Sequence, residues 1–572
     1  MLSRIILRDP QHNCWYDYRD PVLVIQTRQH ADILPMLADI ESQVETDGLF
    51  AAGFLTYEAA TAFDHHLVTH APGSLPLLCF GLFDRRTRFD QLPVQQERDT
   101  LDWQISLSES DHCKQVLLLK QLIEAGDAYQ VNYTARVSAR GAIDLGTFAR
   151  MAGDSPYGAY IDGDDFSIAS ASPELFFELE GNLVTSSPMK GTTNRGLSSR
   201  ADQLQANWLG ASQKDQAENL MITDMVRNDL SRVADTQSVS VPEIFSIEQH
   251  PTVWQMTSKV TARSDASIVS LLTALFPAAS ITGAPKRASM EIINRIEPAP
   301  REIYTGTIGL ITPNRGARFN VAIRTAWTNK RANTSHYGAG GGIIWDSVPT
   351  DEYKELQLKT RILHERNTQF ELFETMRWTP GESIYLQSQH LKRLFDSANY
   401  FKFKFDPESI VHSLAAYIDR LEPKPHRLRL RVNKQGHVKI DSEQLTLTRK
   451  IQQVALAATP VSANNPLLYH KTTNRQIYQQ AQASVPEGTE AVLHNSDGFI
   501  TESVIANIVF RIEGQLYTPP VSDGLLPGTL REDLLSRGKI RERSLSLDKI
   551  PLVEDWFLIN ALRGQRPAKF MQ

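Results

Sequence analysis

Three glutamates, Glu218, Glu352 and Glu355, are where a metal-dependent chemistry could start. Glu218 lies in the run from Lys214 to Leu230, which is helical by pattern and puts Glu218 on one face with Met221 and Met225. A carboxylate on an apolar face is costly unless it is paired or binds a cation. A buried salt bridge to Arg227 or Arg232 is the plain explanation. After Pro349, however, the chain places Glu352, Glu355 and Lys359 on one face of a second helix. Alone, that face could be solvated, with an i,i+4 Glu355–Lys359 pair worth about 0.3–0.5 kcal/mol. Together with Glu218, its carboxylates offer hard oxygens that could hold Mg²⁺ and leave positions open for a substrate carboxylate.

Two lysines could form covalent bonds. Lys190 stands in Ser187-Pro188-Met189-Lys190-Gly191-Thr192, and Lys471 in His470-Lys471-Thr-Thr-Asn-Arg475. Either could also be an ordinary loop lysine. The run Tyr337-Gly-Ala-Gly340-Gly341-Gly342-Ile-Ile is followed by a strand-like stretch, so a dinucleotide loop, which needs a helix there, is excluded. Its glycines could let a ligand carboxylate approach the backbone N–H groups, or form a plain bulge.

These residues need scaffolding, and the periodicity supplies it. Strands are expected at 22–25, 77–83, 166–171, 175–179, 183–185, 304–311, 318–328 and 334–345. Helices are expected at 111–124, 212–232 and 284–296. A polar stretch at 364–369 precedes a new start at Phe370, which puts a domain boundary near 366. At 572 residues the chain exceeds one core. With 41% apolar and 22% charged residues and a net charge of -6, it reads as a soluble globular protein. That balance argues against nucleic acid or an anionic membrane as partner, and residues 1–10 carry no secretory h-region. The window 268–284 is interrupted by Ser270, Thr273, Pro277 and Ser280, so no membrane span is expected. Cys14, Cys79 and Cys113 form no CxxC and read as free thiols of a cytoplasmic protein.

Residues 111–366 resemble the chorismate-utilising enzymes. The resemblance rests on Gly126-Asp-Ala-Tyr-Gln130, Ser170-Ala-Ser-Pro-Glu174, Pro188-Met-Lys190-Gly-Thr192, Ala217-Glu218-Asn and Arg227-Asn-Asp-Leu. It continues through Ser280-Ile-Thr282-Gly283-Ala-Pro-Lys286, Tyr304-Thr-Gly-Thr-Ile-Gly, Ile323-Arg324-Thr325, the glycine run and the Glu352/Glu355 helix. It implies that Glu218 and Glu355 bind magnesium, with Glu352 acting directly or through water. Gln130, Thr282, Gly283, Tyr304, Arg324, Lys359 and the Gly340, Gly341 and Gly342 amides would then surround chorismate. Members that hydroxylate C2 use a lysine where this chain has Gln130, and an amide cannot activate water in that way. Lys190 resembles the nucleophile of aminodeoxychorismate synthases, whose amine attacks C2 as the C4 hydroxyl leaves; ammonia then adds at C4 and expels the lysine. Glu174 matches the acid that helps the hydroxyl leave. Where many relatives carry histidine, this chain has Gln255. The part before residue 111, with only Gly53-Phe-Leu-Thr-Tyr57-Glu58 recognisable, looks shortened, so an amino-acid effector pocket is not expected.

Residues 370–572 resemble fold-type IV pyridoxal phosphate enzymes, such as branched-chain and D-amino-acid transaminases and aminodeoxychorismate lyase. The matching runs begin Glu371-Leu-Phe-Glu-Thr375 and His390-Leu-Lys-Arg393, and continue with His470-Lys471, Thr501-Glu502-Ser, Ala506-Asn507 and Leu526-Pro-Gly528-Thr529. The resemblance implies that Lys471 holds the cofactor aldehyde, that Glu502 faces the pyridine nitrogen, and that Arg393, Gly528 and Thr529 bind the phosphate. Thr375 is a candidate lyase hydroxyl, and Ile559 replaces a threonine that relatives often place near the phosphate.

The expectation is an α+β protein, a chorismate-binding two-sheet sandwich at 1–366 followed by a branched-chain-aminotransferase-like domain at 370–572. It would aminate chorismate at C4 with Mg²⁺, then eliminate pyruvate with pyridoxal phosphate to give 4-aminobenzoate for folate. A transaminase or a degenerate second domain is the alternative. No Gly-x-Cys-x-Gly elbow is present, so ammonia comes from a separate glutamine amidotransferase or from free ammonium. The resemblance also allows a homodimer through the second domain.

Overall fold

The structure is a computed structural model that describes residues 2–92, 101–153, 155–364, 370–446 and 450–571. The boundary expected near 366 lies outside the described residues. Two compact units emerge. The first runs to Asn194 and resumes at Ala206; the second takes Arg195–Gln205 and the chain from 370 onward.

The first unit contains two large sheets, each of ten antiparallel strands. One sheet runs in the order Gly283–Ala284, Gln130–Arg140, Thr334–Ile343, Thr325–Asn329, Phe166–Ser172, Tyr157–Gly163, Leu2–Asp9, Cys14–Arg19 and Thr87–Phe89, with Gln104–Ile105 beside Gln130–Arg140. The other begins Met189–Asn194, Val253–Arg263, Leu183–Ser187, Leu175–Glu180, Gly316–Val321 and Thr307–Thr312, and ends on three strands from the first hundred residues. Those early residues, the shortened N-terminal part of the 1–366 region, complete the edges of both sheets. Strands such as Phe166–Ser172 are buried along their whole length, as sheets covered on both faces require.

The stretch 318–328, read as one strand, is two. Gly316–Val321 belongs to one sheet and Thr325–Asn329 to the other, with Arg324 at φ 50° turning the chain between them. A side-chain-bearing residue rarely takes that conformation, so composition gave no warning. The helix expected at 284–296 starts at Lys286, because Gly283–Ala284 is taken as an edge strand against Gln130 and Val131.

In the second unit, a three-stranded antiparallel sheet (Leu372–Trp378, His426–Val432, Val438–Gln444) packs its apolar face on the helices Gln387–Phe401 and Pro407–Ile418. Alternation of Leu428, Leu430 and Val432 with Arg427, Arg429 and Arg431 fixes which face is covered. An eight-stranded mixed sheet follows. Pairing of Glu502 with Asn507 joins Ile500–Ser503 to Asn507–Ile512, so six of its strands close into a ring. Among the described residues no helix is long and apolar enough to cross a membrane, and Cys14, Cys79 and Cys113 are free.

Candidate active site

Two side-by-side crossings between the sheets build the site of the first unit. One carries Glu174, between Phe166–Ser172 and Leu175–Glu180; the other carries Arg324. Val321 donates its N–H to the Glu174 carbonyl at 3.1 Å, and Ala171 donates to that of Arg324 at 3.0 Å. The Glu174 carboxylate is buried, accepting from Ser280 Oγ at 2.7 Å and from the Met189 N–H at 3.4 Å. Burial pushes this carboxyl up to about 7, against the pull of Ser280, Met189 and Lys190. It is therefore a group able to donate a proton near neutrality.

Lys190 follows Met189 on the edge strand Met189–Asn194. Its backbone is clipped by a residue that sequence reasoning missed. Asn219, buried on the helix Gln213–Ser231, donates from Nδ2 to the carbonyls of Lys190 (3.2 Å) and Met256 (3.1 Å) and accepts from Ser258 Oγ at 2.5 Å. The run Ala217-Glu218-Asn219 was the only signal that could have flagged it. The Lys190 side chain meets the glycine strand Thr334–Ile343. A methyl built on Gly342 would lie 2.3 Å from Lys190 Nζ and 2.4 Å from Gln130 Nε2, so only glycine leaves room for both. Gln130 is fully buried, and neither amide atom has a hydrogen-bond partner among the described residues. The same holds for Gln255 Oε1. Buried amides left open in this way suit a polar ligand.

Behind the glycines stands the helix Pro349–Thr360. Lys359 donates from Nζ to the Gly340 carbonyl at 2.8 Å and pairs with Glu355 at 2.6 Å; its own carbonyl accepts from Tyr337 Oη at 2.8 Å. Tyr304 is buried with its ring against Gly338, where a methyl would fall 2.2 Å from Cγ. Ser347, also missed, donates to Glu352 Oε1 at 2.7 Å, while its carbonyl accepts from Lys120 Nζ at 2.9 Å. Thr282 lies in the same region. Its hydroxyl is taken up by the Ala278 and Ala279 carbonyls at 3.3 Å, because it closes the turn before the Gly283–Ala284 strand. Gly283, at φ 137°, lies so close to Gln130 that a methyl would sit 2.2 Å from the Gln130 carbonyl.

The three glutamates converge electrostatically without closing on one point. Burial raises the carboxyls of Glu218 and Glu352, whereas Lys359 holds that of Glu355 down. Lys214 is 4.0 Å from Glu218, and among the described residues Glu352 accepts from a hydroxyl alone. Their ligand oxygens do not all lie within 4.8 Å of one another; among the described residues that spacing belongs to the exposed Asp64, His65 and His66. Glu218 and Glu352, half-buried and with little cationic compensation, nevertheless offer hard oxygens that fit Mg²⁺, with Glu355 beside them on Lys359.

In the second unit, residues 471–473 run beside the strand Leu372–Trp378: Phe373 donates its N–H to the Lys471 carbonyl at 3.0 Å, and Thr473 donates to that of Glu371 at 2.8 Å. Lys471 Nζ lies 4.8 Å from the Phe373 ring centroid. Burial, helped by Arg393, pushes this amine down to about 7. Glu502, at the ring closure, is buried; it accepts from Tyr478 Oη at 2.8 Å, Asn507 Nδ2 at 3.3 Å and the Leu526 N–H at 3.2 Å. Burial raises it to about 7.

Gly528 caps the helix Thr529–Ser536, and a methyl there would fall 1.9 Å from Asn507 Oδ1, so the backbone stays bare at the helix start. Arg393 is more occupied than expected. Glu374 binds it at two points (2.8 and 2.6 Å), and its third donor goes to the Pro527 carbonyl at 3.1 Å. Burial alone would raise Glu374, but Arg393 and His390 hold its carboxyl at about 2. His390 Nδ1 lies 2.7 Å from Glu374, and its Nε2 is 3.4 Å from Thr529 Oγ1. Arg393 thus shapes the Pro527–Thr529 loop and keeps two N–H groups for a phosphate. Ile559 is buried opposite Asn507. A half-buried amine held low, a buried carboxyl and a bare helix start together fit pyridoxal phosphate.

Comparison with known proteins agrees with both units. Residues 90–365 match the family of chorismate binding enzymes, and residues 371–569 match amino-transferase class IV. Aminodeoxychorismate synthase component 1 of Salmonella typhimurium is 37% identical over 308 residues, covering 52% of this chain and 67% of that protein. Its counterpart in Klebsiella aerogenes is 38% identical over 274 residues, 46% of this chain and 60% of that one. The match therefore spans about three fifths to two thirds of these relatives' length. Anthranilate synthase component I from Streptococcus pneumoniae shares the fold, with a TM-score of 0.54 at 22% identity over 63% of this chain and 92% of that one. On these matches and this geometry, the chain belongs to the family of chorismate binding enzymes, with a class IV aminotransferase domain behind it.

Proposed function

We propose that the first unit aminates chorismate at C4 and that the second converts the product to 4-aminobenzoate and pyruvate. The observation that carries the first step is the meeting of Lys190 Nζ and an unpartnered Gln130 amide over Gly342, with the buried Glu174 one peptide away. Lys190 forms a bond to C2 as the C4 hydroxyl departs, taking a proton from Glu174 and leaving as water. Ammonia then bonds to C4, and the C2–nitrogen bond breaks to return Lys190. Glu218, Glu352 and Glu355 would hold Mg²⁺, which would neutralise a substrate carboxylate. The chain carries no Gly-x-Cys-x-Gly elbow, so the ammonia comes from a separate amidotransferase or from free ammonium.

Pyridoxal phosphate, when bound, supplies the electron sink that makes the substrate's C4 proton acidic. Glu502 would hold the ring nitrogen; Gly528, Thr529 and Arg393 would hold the phosphate. Lys471, an amine near neutrality, takes the C4 proton, the C3–oxygen bond breaks, and the ring becomes aromatic. A transaminase in this unit would instead return an amino acid from a keto acid.

Withholding ammonium tests the Lys190 step. Protein given chorismate and Mg²⁺ alone should gain the mass of chorismate less one water, and Lys190→Ala should not. An unmodified wild-type chain with intact turnover once ammonium is restored would refute the covalent route.

A further inference from the structure

The strand His426–Val432 turns three arginines to the face that its neighbour shares with Phe373 and Thr375. Two of the three are neutralised. Arg427 pairs with Glu443 at 2.6 Å, and Arg431 pairs with Asp441 at 2.8 Å and Glu371 at 3.4 Å. The middle one, Arg429, has no carboxylate within ion-pair reach among the described residues. Its Nε is buried without an acceptor, although the side chain as a whole is only half-buried. Its guanidinium lies 4.9 Å from the Phe373 ring centroid, and Lys471 Nζ lies 4.8 Å from that same centroid. Thr375 is its direct neighbour on one flanking strand, with Cβ atoms about 5 Å apart in such a pair; on the other flank stands Asp441, whose carboxylate is taken by Arg431. A half-buried guanidinium with an unsatisfied donor is costly unless an anion completes it. Here it stands one aromatic ring from the reactive amine.

We propose that Arg429 is the receptor for a carboxylate of the molecule processed at Lys471, with Thr375 beside it, so that the second unit selects carboxylated substrates. This rests on the lyase reading above, whose substrate carries two carboxylates, one on the ring and one on the enolpyruvyl ether. Both share the planar geometry that a guanidinium binds by a two-point contact. Arg429 touches substrate in this assignment and acts on binding rather than on proton transfer.

The test uses the full chain loaded with pyridoxal phosphate and supplied with 4-amino-4-deoxychorismate. Pyruvate release by the wild type is measured first, and its absence overturns the lyase reading and this assignment with it. Given release, Arg429→Gln should raise KM about 10- to 100-fold, the loss expected for a charge-assisted contact, with kcat little changed. Arg429→Lys should recover part of that loss. The cofactor's visible absorption and the melting temperature should stay at wild-type values in both variants. Two inhibitors that cannot react separate the sources: 4-hydroxybenzoate carries the ring carboxylate and phenoxyacetate the ether-linked one. Weakened inhibition by one alone in Arg429→Gln identifies which carboxylate is held. Unchanged KM with both inhibitors unaffected, or loss of cofactor absorption in both variants, overturns the assignment, the latter by showing a structural role.

Discussion

Gly342→Ala probes the contact on which the first reaction depends. The residue sits in an extended strand at an ordinary φ, so alanine is conformationally allowed there. The added methyl would lie 2.3 Å from Lys190 Nζ and 2.4 Å from Gln130 Nε2. The lysine amine is the far end of a flexible side chain that can swing away, but Gln130 is fully buried and must shift as well, so the overpacking should cost about 1–3 kcal/mol of stability. The amine, however, must retreat by about 1 Å, and misplacement of that order costs on the order of 10²-fold in rate. At Gly341 the nearest atom to a new methyl is Glu352 Oε2, at 3.2 Å, and a few tenths of an ångström would relieve it. Formation of 4-amino-4-deoxychorismate from chorismate, Mg²⁺ and ammonium should therefore fall about 100-fold in Gly342→Ala and far less in Gly341→Ala. Pyruvate release from supplied 4-amino-4-deoxychorismate, a reaction of the other unit, should not change. Full amination by Gly342→Ala at unchanged melting temperature would refute the placement of Lys190.

The Glu174 carboxyl is raised from 4.5 to about 7 and so keeps its proton up to that pH; as a donor it is lost on going higher. The amination rate should thus fall as pH rises through about 7, and Glu174→Gln, besides being slow, should lose that limb of the profile. In the apoprotein the Lys471 amine is lowered to about 7, so capture of pyridoxal phosphate, followed by absorption, should speed up with a midpoint near 7 instead of near the ordinary 10.5; a midpoint above 9 would contradict its burial. Glu374→Leu leaves Arg393 and His390 uncompensated in a buried place, and denaturant unfolding should register a loss of about 3–5 kcal/mol. Asn219→Ala frees the backbone of Lys190 and should lower amination with Mg²⁺ affinity little affected, as read from a Mg²⁺ titration.

Much of this arrangement could be read from residue order, because catalytic positions sit in short runs whose local structure follows from local composition. Glu174 and Lys190 are 16 positions apart in sequence, and the strands between them bring the two together. What escaped was set by partners far along the chain. Asn219 gains its role from Lys190, Met256 and Ser258, and no single run contains them. The Glu374 pair with Arg393 and His390 needs a strand and a helix to be packed before their charges meet. The break at Arg324 carries neither glycine nor proline to announce it. Assignment of Arg195–Gln205 to the second unit has no composition signal at all.

The most direct measurement is the product made by this one polypeptide from chorismate, ammonium, Mg²⁺ and pyridoxal phosphate. Lys190 at Gly342 together with Lys471 near Glu502 predicts 4-aminobenzoate and pyruvate in equal amounts, with Lys471→Ala halting at 4-amino-4-deoxychorismate. Anthranilate or salicylate as the aromatic product would contradict it.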